Sequence, residues 1–389
     1  MPWGGSGETP GPTVTVRMGE GGRVTRRVED NLFRAHRVDE MMRRAIGLTE
    51  ATAPHPNPRV GAVVVNSAGE VVAERAHIRA GAAHAEAAAL AEAGPAARGS
   101  TLVVTLEPCA HHGRTPPCVE AIIDAGVARV FVGAVDPDPR VAGRGIAALR
   151  EAGVAVESGI EEEAVVSNDP AYFHHRATGL PLMTLKIATT LDGQAAAADL
   201  TSQWITSPEA RRDAHRLRST QDAVLVGAGT VIADDPSLDV RLDNYSGPQP
   251  RPVLITGRRS IDPGAAVLQR DPFIFGGDER SAPRAAGAAT IPMPGAGGVD
   301  LAGVVSYLGS EGVLSVLIEG GPTIAGAALA VGIVDRIIFY FGAKLAGGVG
   351  LPAIAGTLAN IDDTKNVSIT QITPIGPDFR VDATIERET

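Results

Sequence analysis

Residues 84–126 read HAEAAALAEAGPAARGSTLVVTLEPCAHHGRTPPCVEAIIDAG, and this run decides the fold of the first half of the chain. Its Ala-rich opening predicts a helix that stops at Gly94. TLVVTLEP is an unbroken apolar run of strand length and reads as a buried strand. A loop follows, and then CVEAIIDAG predicts a second helix. Upstream, RVGAVVVNSAGEVVAE (59–74) contains two strand-like runs about a Ser-Ala-Gly turn. Before it, RAHRVDEMMRRAIGLTEAT (34–52) is helical, with Met41, Met42 and Ile46 on one face. Downstream, VARVFVGAV, GRGIAALREAG and VAVESGI add strand, helix and strand. Strands alternating with helices imply a layered α/β domain with helices on both faces of a sheet.

VVSNDPAYFHHRATGLPL (165–182) reads as a connection, and the alternation resumes at Met183. PLMTLKIATTLDG, DAVLVGAGTV, RPVLITG, FIFGG, LSVLIEGG and DRIIFYFGAKL are strand-bearing, with helices near LAGVVSYLGSEG and PTIAGAALAVG. From residue 346 onward the chain supplies closing strands, including FRVDATIE. The expected division is a disordered Gly/Pro-rich extension over 1–32, one α/β domain over 33–178 and another over 179–389. A length of 389 residues agrees with two domains. Aromatic residues are only 4% of the chain, so Ala, Val, Leu and Ile must fill both cores.

A formal net charge of −10, without a long basic run, disfavours nucleic acid as a partner. No apolar stretch is long enough to cross a bilayer, and the N-terminal residues lack the apolar core of a secretory signal. Two cysteines cannot form a disulfide framework; a cytoplasmic enzyme is expected. A homo-oligomer is compatible with the sequence but not required by it.

Both cysteines fall in one segment. His84, Cys109 and Cys118 supply one imidazole and two thiolates, a soft donor set that suits one Zn²⁺ per chain with a water in the fourth position. Such a metal lowers the pKa of its water. Glu86 is two residues beyond His84 at a helix start, where a carboxylate that is not a ligand could relay protons. His-x-Glu followed by Pro-Cys resembles the pattern of zinc nucleobase deaminases. The spacing departs from Cys-x-x-Cys, because eight residues, AHHGRTPP, separate the cysteines. A longer loop costs little entropy. The long form, HHGRTPPC, resembles the deaminases of riboflavin biosynthesis, as do HPNPRVGAVVV (55–65) and VDPDPRVAGRGIAALREAGVAV (135–156). That resemblance implies a pyrimidine contact at Asn57. His111 and His112 are not assigned to the metal; loop shaping or substrate phosphate are their alternatives.

In the second half, Gly320-Gly321 would let backbone approach a ligand, and Pro322 suits the first turn of a helix whose N-terminus could hold a pyrophosphate. No G-x-G-x-x-G with a following acidic residue supports an ordinary Rossmann fold. KIATTLDG, SQWIT, VGAGTVIADDPSLDVR and IEGGPT together resemble the reductase domain of the riboflavin pathway, which is related in fold to dihydrofolate reductase. With the first half, the chain resembles the bifunctional deaminase–reductases of that pathway: a cytidine-deaminase-like three-layer domain, then a dihydrofolate-reductase-like one. The resemblance implies NADPH contacts at Ala188, Trp204, Thr230, Asp234, Gly321, Pro322, Thr323, Ile324, Ala325, Gly326 and Ala327. It implies contacts to a small phosphorylated pyrimidine at Ser202, Arg218, Leu238, Arg241 and Glu319. Arginine suits the phosphate on physical grounds. Thr256, Arg258 and Arg259 are positional candidates for the 2′-phosphate of NADPH, and Lys186 and Asp234 for the general acid. The rivals are a deaminase of nucleic acids or free nucleosides with an unrelated tail, and a protein that kept the fold but lost catalysis. Acidity argues against nucleic acid, and the intact His84, Glu86, Cys109 and Cys118 argue against lost catalysis.

Overall fold

Among the described residues two large sheets carry the chain, with a two-stranded one beside the second. The structure, a computed structural model, describes residues 37–112, 116–276, 290–292, 298–356 and 360–386. The expected extension over 1–32 lies outside them. The first sheet has the order β2-β1-β3-β4-β5. It is built from β1 (Gly61–Val65), β2 (Val71–Ala76), β3 (Thr101–Leu106), β4 (Arg129–Ala134) and β5 (Ala155–Ser158). β1 runs antiparallel to both β2 and β3, while β3, β4 and β5 are parallel. The runs GAVVV of β1 and TLVVTL of β3 are buried along most of their length, as strands covered on both faces must be. The helices are α1 (37–47), α2 (Ala85–Ala93), α3 (Cys118–Asp124) and α4 (Arg144–Glu151). Met42 of α1 is fully buried and Ile46 packs against the same core.

The expected connection over 165–182 is largely helical instead. α5 (Glu162–Asn168) and α6 (Pro170–Thr178) meet at Asp169. The Asp169 side chain accepts from the Tyr172 backbone N–H, and Pro170 occupies the first turn. Asp169 and Pro170, read as part of a connection, are the cap and first turn of a helix.

The second sheet has nine strands among the described residues, in the order β11-β10-β9-β8-β12-β6-β13-β16-β15. Its elements begin with β6 (Leu182–Thr190), β7 (Gln194–Ala196), α7 (Pro208–Ser219), β8 (Ala223–Gly227) and α8 (Ala228–Asp234). They continue with β9 (Arg251–Gly257), β10 (Phe273–Gly276), β11 (Thr290–Pro292), α9 (Leu301–Ser310), β12 (Ser315–Ile318) and α10 (Pro322–Val331). β13 (Arg336–Gly342), β14 (Leu351–Pro352), β15 (Val367–Ile375) and β16 (Asp378–Ile385) close the chain. From β11 to β13 all neighbours are parallel, and β16 and β15 add an antiparallel edge. Ser207 caps α7 by accepting from the Ala210 N–H, and Pro208 and Glu209 fill its first turn. The short strands β7 and β14 pair only with each other and carried no sequence signal. Leu182 and Leu314, from the second half of the chain, pack into the core of the first sheet.

Candidate active sites

His84 occupies the N-cap of α2 and Glu86 its first turn. β3 runs out into Glu107-Pro108-Cys109, and Cys118 opens α3. His84 Nδ1 lies 3.2 Å from Cys118 Sγ and 3.5 Å from Cys109 Sγ. The three donor atoms lie within 4.8 Å of one another. Nitrogen and sulfur ligands on a tetrahedral zinc are separated by about 3.5 Å, given ordinary Zn–N and Zn–S bond lengths. The donor set and its spacing therefore fit zinc.

The thiol of Cys118 and then the imidazole of His84 hold Cys109 down to about 4. Cys118 is pushed the other way, by its hydrogen bond to Cys109 and by burial. Glu86 is buried, and that burial raises its carboxyl above the ordinary range.

Glu107, two residues before Cys109, ties the end of β3 to the start of α4, a contact that sequence reasoning missed. Its Oε1 accepts from the N–H groups of Gly145 (2.8 Å) and Ile146 (3.2 Å), and its Oε2 from Gly143 (2.8 Å). The start of α4 is thereby pinned against the end of β3. Only glycine fits at 145, since a Cβ there would stand 1.9 Å from the Pro108 carbonyl oxygen.

A cavity of about 320 Å³ adjoins His84, Cys109 and Glu86, with Asn57, His77 and Arg176 also in its lining. His77 Nδ1 lies 3.0 Å from the Ala83 carbonyl and must donate to it. Its Nε2 is then the acceptor for Asn57 Nδ2 at 3.0 Å, which fixes how the Asn57 amide is turned. Nothing in the sequence around His77 signalled this. His111 lines the cavity but lies outside the donor cluster, and His112 is a surface residue 3.3 Å from Glu120.

The second site forms just past the C-terminal end of β12, beside the middle of β6 and β8. Ile318 pairs with Leu185 and Leu225, which brings the next residue, Glu319, beside Lys186. Glu319 is held by both arms of Arg218, at 2.8 and 3.0 Å, and by Lys186 at 3.8 Å. Burial alone would raise its carboxyl, but Arg218 and then Lys186 outweigh that and leave it lowered. Arg218 Nη1 donates to the Asp239 carbonyl (2.6 Å) and Arg241 Nη1 to the Asp239 carboxylate (2.9 Å). The two arginines therefore converge. Leu238 is buried beside them, in left-handed backbone with φ 56°. Ser202 is exposed.

The β8–α8 and β12–α10 turns lie side by side. A Cβ on Gly227 would meet Ile324 at 2.8 Å, and one on Gly321 would lie 3.9 Å from Thr230 Oγ1. Such glycine turns leave room for a dinucleotide close to backbone. Along the start of α10, Thr323 is exposed and Pro322 and Ala327 half-buried. Ile324 packs inward, Ala325 is buried, and Gly326 abuts the Ala355 carbonyl. Ala188 is half-buried on β6, and Asp234 is exposed at the end of α8. Trp204 is exposed, its ring 4.3 Å from the Arg211 guanidinium. Arg258 and Arg259 are exposed, and Arg259 Nη1 comes within 3.5 Å of a Cβ built on Gly229. Thr256 is set apart from the two arginines: it is buried within β9 and its hydroxyl donates to the Phe275 carbonyl.

Residues 36–134 match the cytidine and deoxycytidylate deaminase zinc-binding region, and residues 181–381 match the RibD C-terminal domain. The chain is 40% identical to the riboflavin biosynthesis protein RibD of Escherichia coli (strain K12), over 83% of this chain and 92% of that one. The chain belongs to the RibD family. It carries both halves of a RibD protein, a deaminase and a reductase. A solved RibD from Acinetobacter baumannii superimposes with a TM-score of 0.84 at 32% identity, covering 91% of this chain and all (100%) of that one. The diaminohydroxyphosphoribosylaminopyrimidine deaminase/5-amino-6-(5-phosphoribosylamino)uracil reductase of Thermotoga maritima gives 0.82 at 32% identity, covering 90% and 99%. No helix among the described residues is long and apolar enough to cross a membrane.

Proposed function

We propose that the chain performs two consecutive cytoplasmic steps on one phosphorylated pyrimidine. The first is hydrolytic deamination of 2,5-diamino-6-(5-phosphoribosylamino)pyrimidin-4(3H)-one. The second is NADPH-dependent reduction of the ribosyl to the ribityl side chain, giving 5-amino-6-(5-phosphoribitylamino)uracil. The observation that carries the reading is the cluster of His84, Cys109 and Cys118 beside the buried Glu86 at one cavity, in a chain with a separate cationic site past the end of β12, beside β6.

In the first domain, His84, Cys109 and Cys118 would hold zinc, which when bound makes water acidic enough to attack at neutral pH. Glu86 takes one proton from the attacking water and gives it to the ring nitrogen, then carries the second to the amine, which departs as ammonia. Asn57, turned by His77, orients the pyrimidine. In the second domain, Arg218 and Arg241 hold the substrate phosphate, and Glu319 accepts from ribose hydroxyls. Ala188, Trp204, Thr230, Asp234 and the start of α10 would hold NADPH, which when bound would supply the hydride for C1′ of the opened, imine form of the ribose. The imine nitrogen takes a proton, for which Lys186 stands beside Glu319. Arg258 and Arg259 lie where a 2′-phosphate would need neutralising.

The test is ammonia release from the authentic diaminopyrimidinone phosphate by zinc-loaded protein, followed by NADPH consumption. Both should occur. Ammonia without NADPH consumption would confine the reading to the first domain, and neither would overturn it.

A further inference from the structure

The turn that carries Asn57 is bolted to the second domain. His55 Nε2 lies 3.2 Å from Asp169 Oδ1, and His55 Nδ1 lies 2.8 Å from Asp222 Oδ1. Asp169 caps α6 in the first half of the chain, and its other oxygen accepts from the Arg59 backbone N–H at 2.9 Å. The segment 55–59 is thus tied at both ends. Asp222 immediately precedes β8 in the second sheet. Its Oδ2 accepts from the backbone of Leu314 and Ser315 (2.9 Å each) and from the Ser315 hydroxyl (3.1 Å), at the start of β12. The strands at whose far ends the reductase residues stand therefore begin at the residue that grips His55.

A carboxylate only accepts. A ring with both nitrogens against carboxylates must donate from both, so His55 is the imidazolium. Burial opposes that charge, but the bonds to Asp169 and Asp222 prevail and raise the ring's pKa to about 9. Arg176 Nη2 also reaches this turn, donating to the Pro56 carbonyl at 3.2 Å, and Arg59 meets Asp169 through its backbone. Pro56, Asn57 and Pro58 line the deaminase cavity directly.

We propose that His55 is a positioning residue for the deaminase, and that Asp222 of the reductase domain holds it there, so that pyrimidine binding in one domain depends on a carboxylate in the other. The inference rests on the deaminase reading above. Neither residue touches the reacting atoms, so the effect falls on KM and leaves kcat close to parental. The imidazolium link is complete below the ring's ordinary pKa of 6.5 and is lost as pH climbs through about 9.

The experiment uses the full, zinc-loaded chain and measures ammonia release as a function of substrate and pH. In D222N and in H55Q the deaminase KM should rise on the order of tenfold, as expected when a bond to a charged group is lost. Reduction of the already deaminated intermediate by D222N should stay within twofold of parent. The double variant H55Q/D222N should be no worse than H55Q alone, because Asp222 acts through His55. Additive effects, or a KM within twofold of parent in a folded, zinc-loaded H55Q, would overturn the proposal. Should either variant fail to fold, the parent alone decides: its deaminase KM should climb between pH 8 and 10, roughly bracketing the raised ring pKa, with kcat flat. A level KM overturns the proposal. A parent that releases no ammonia at any pH refutes the deaminase reading instead.

Discussion

Replacing Glu107 by Gln keeps the volume of a buried side chain and removes half of its function. The carboxylate accepts from Gly143 and Gly145 at 2.8 Å and from Ile146 at 3.2 Å. In the amide, one oxygen becomes an NH₂ that faces a backbone N–H, donor against donor. If the remaining oxygen stays with Gly145 and Ile146, the Gly143 bond is lost and the other two lose their charge. A hydrogen bond to a charged group contributes about 1.5–3 kcal/mol, and a carboxylate at a helix N-terminus roughly another 0.3–1 kcal/mol. The substitution should therefore cost about 3 kcal/mol on those scales. For a domain of this size each kcal/mol lowers Tm by about 2–4 °C, so the deaminase transition should fall by roughly 6–12 °C. The assay is scanning calorimetry of zinc-loaded protein, with zinc measured in the same samples, since Cys109 lies two residues on. Zinc affinity should fall as well. A Tm within about 2 °C of parent, on this same scale, with zinc fully retained would show that Glu107 does not anchor the metal loop.

Cys118→Ser should lose both zinc and ammonia release, because only two of three protein ligands remain; full zinc retention would remove Cys118 from the site. Arg258→Ala with Arg259→Ala should weaken NADPH by about tenfold or more while leaving NADH nearly unchanged, as loss of charged phosphate contacts requires. Equal weakening of both cofactors, measured as KM, would place the 2′-phosphate elsewhere.

The cluster of His84, Cys109 and Cys118 was legible because its parts are local. His84 and Glu86 share one helix start, and the chain's two cysteines bracket one loop. The α/β order was legible for the same reason, since strands such as VVV and LVV leave no alternative burial. What sequence could not show is convergence. Arg218 and Glu319 are 101 residues apart, and only the register of β12 on β6 brings Glu319 beside Lys186. His77, Glu107 and Asp222 act through backbone groups and other side chains, so no spacing rule marks them. The helices α5 and α6 were missed because Asp-Pro reads as a breaker when its capping partner, the Tyr172 N–H, is not considered. Thr256 was grouped with Arg258 and Arg259 because they are neighbours in sequence, yet it belongs to a buried strand.

The central claim, two independent chemistries in one chain, is tested most directly by Glu86→Gln assayed with both substrates. Gln fills the same buried place but cannot accept a proton, and general acid–base help of this kind contributes roughly a hundred- to ten-thousand-fold. Ammonia release from the diaminopyrimidinone phosphate should fall at least a hundredfold, on that same scale, with zinc still bound. Given the deaminated intermediate, the same protein should oxidise NADPH at close to the parental rate. Arg218→Ala is the mirror case and should release ammonia normally while the intermediate accumulates. If Glu86→Gln, folded and loaded with zinc, loses NADPH oxidation along with ammonia release, the two sites are not independent and the account is wrong.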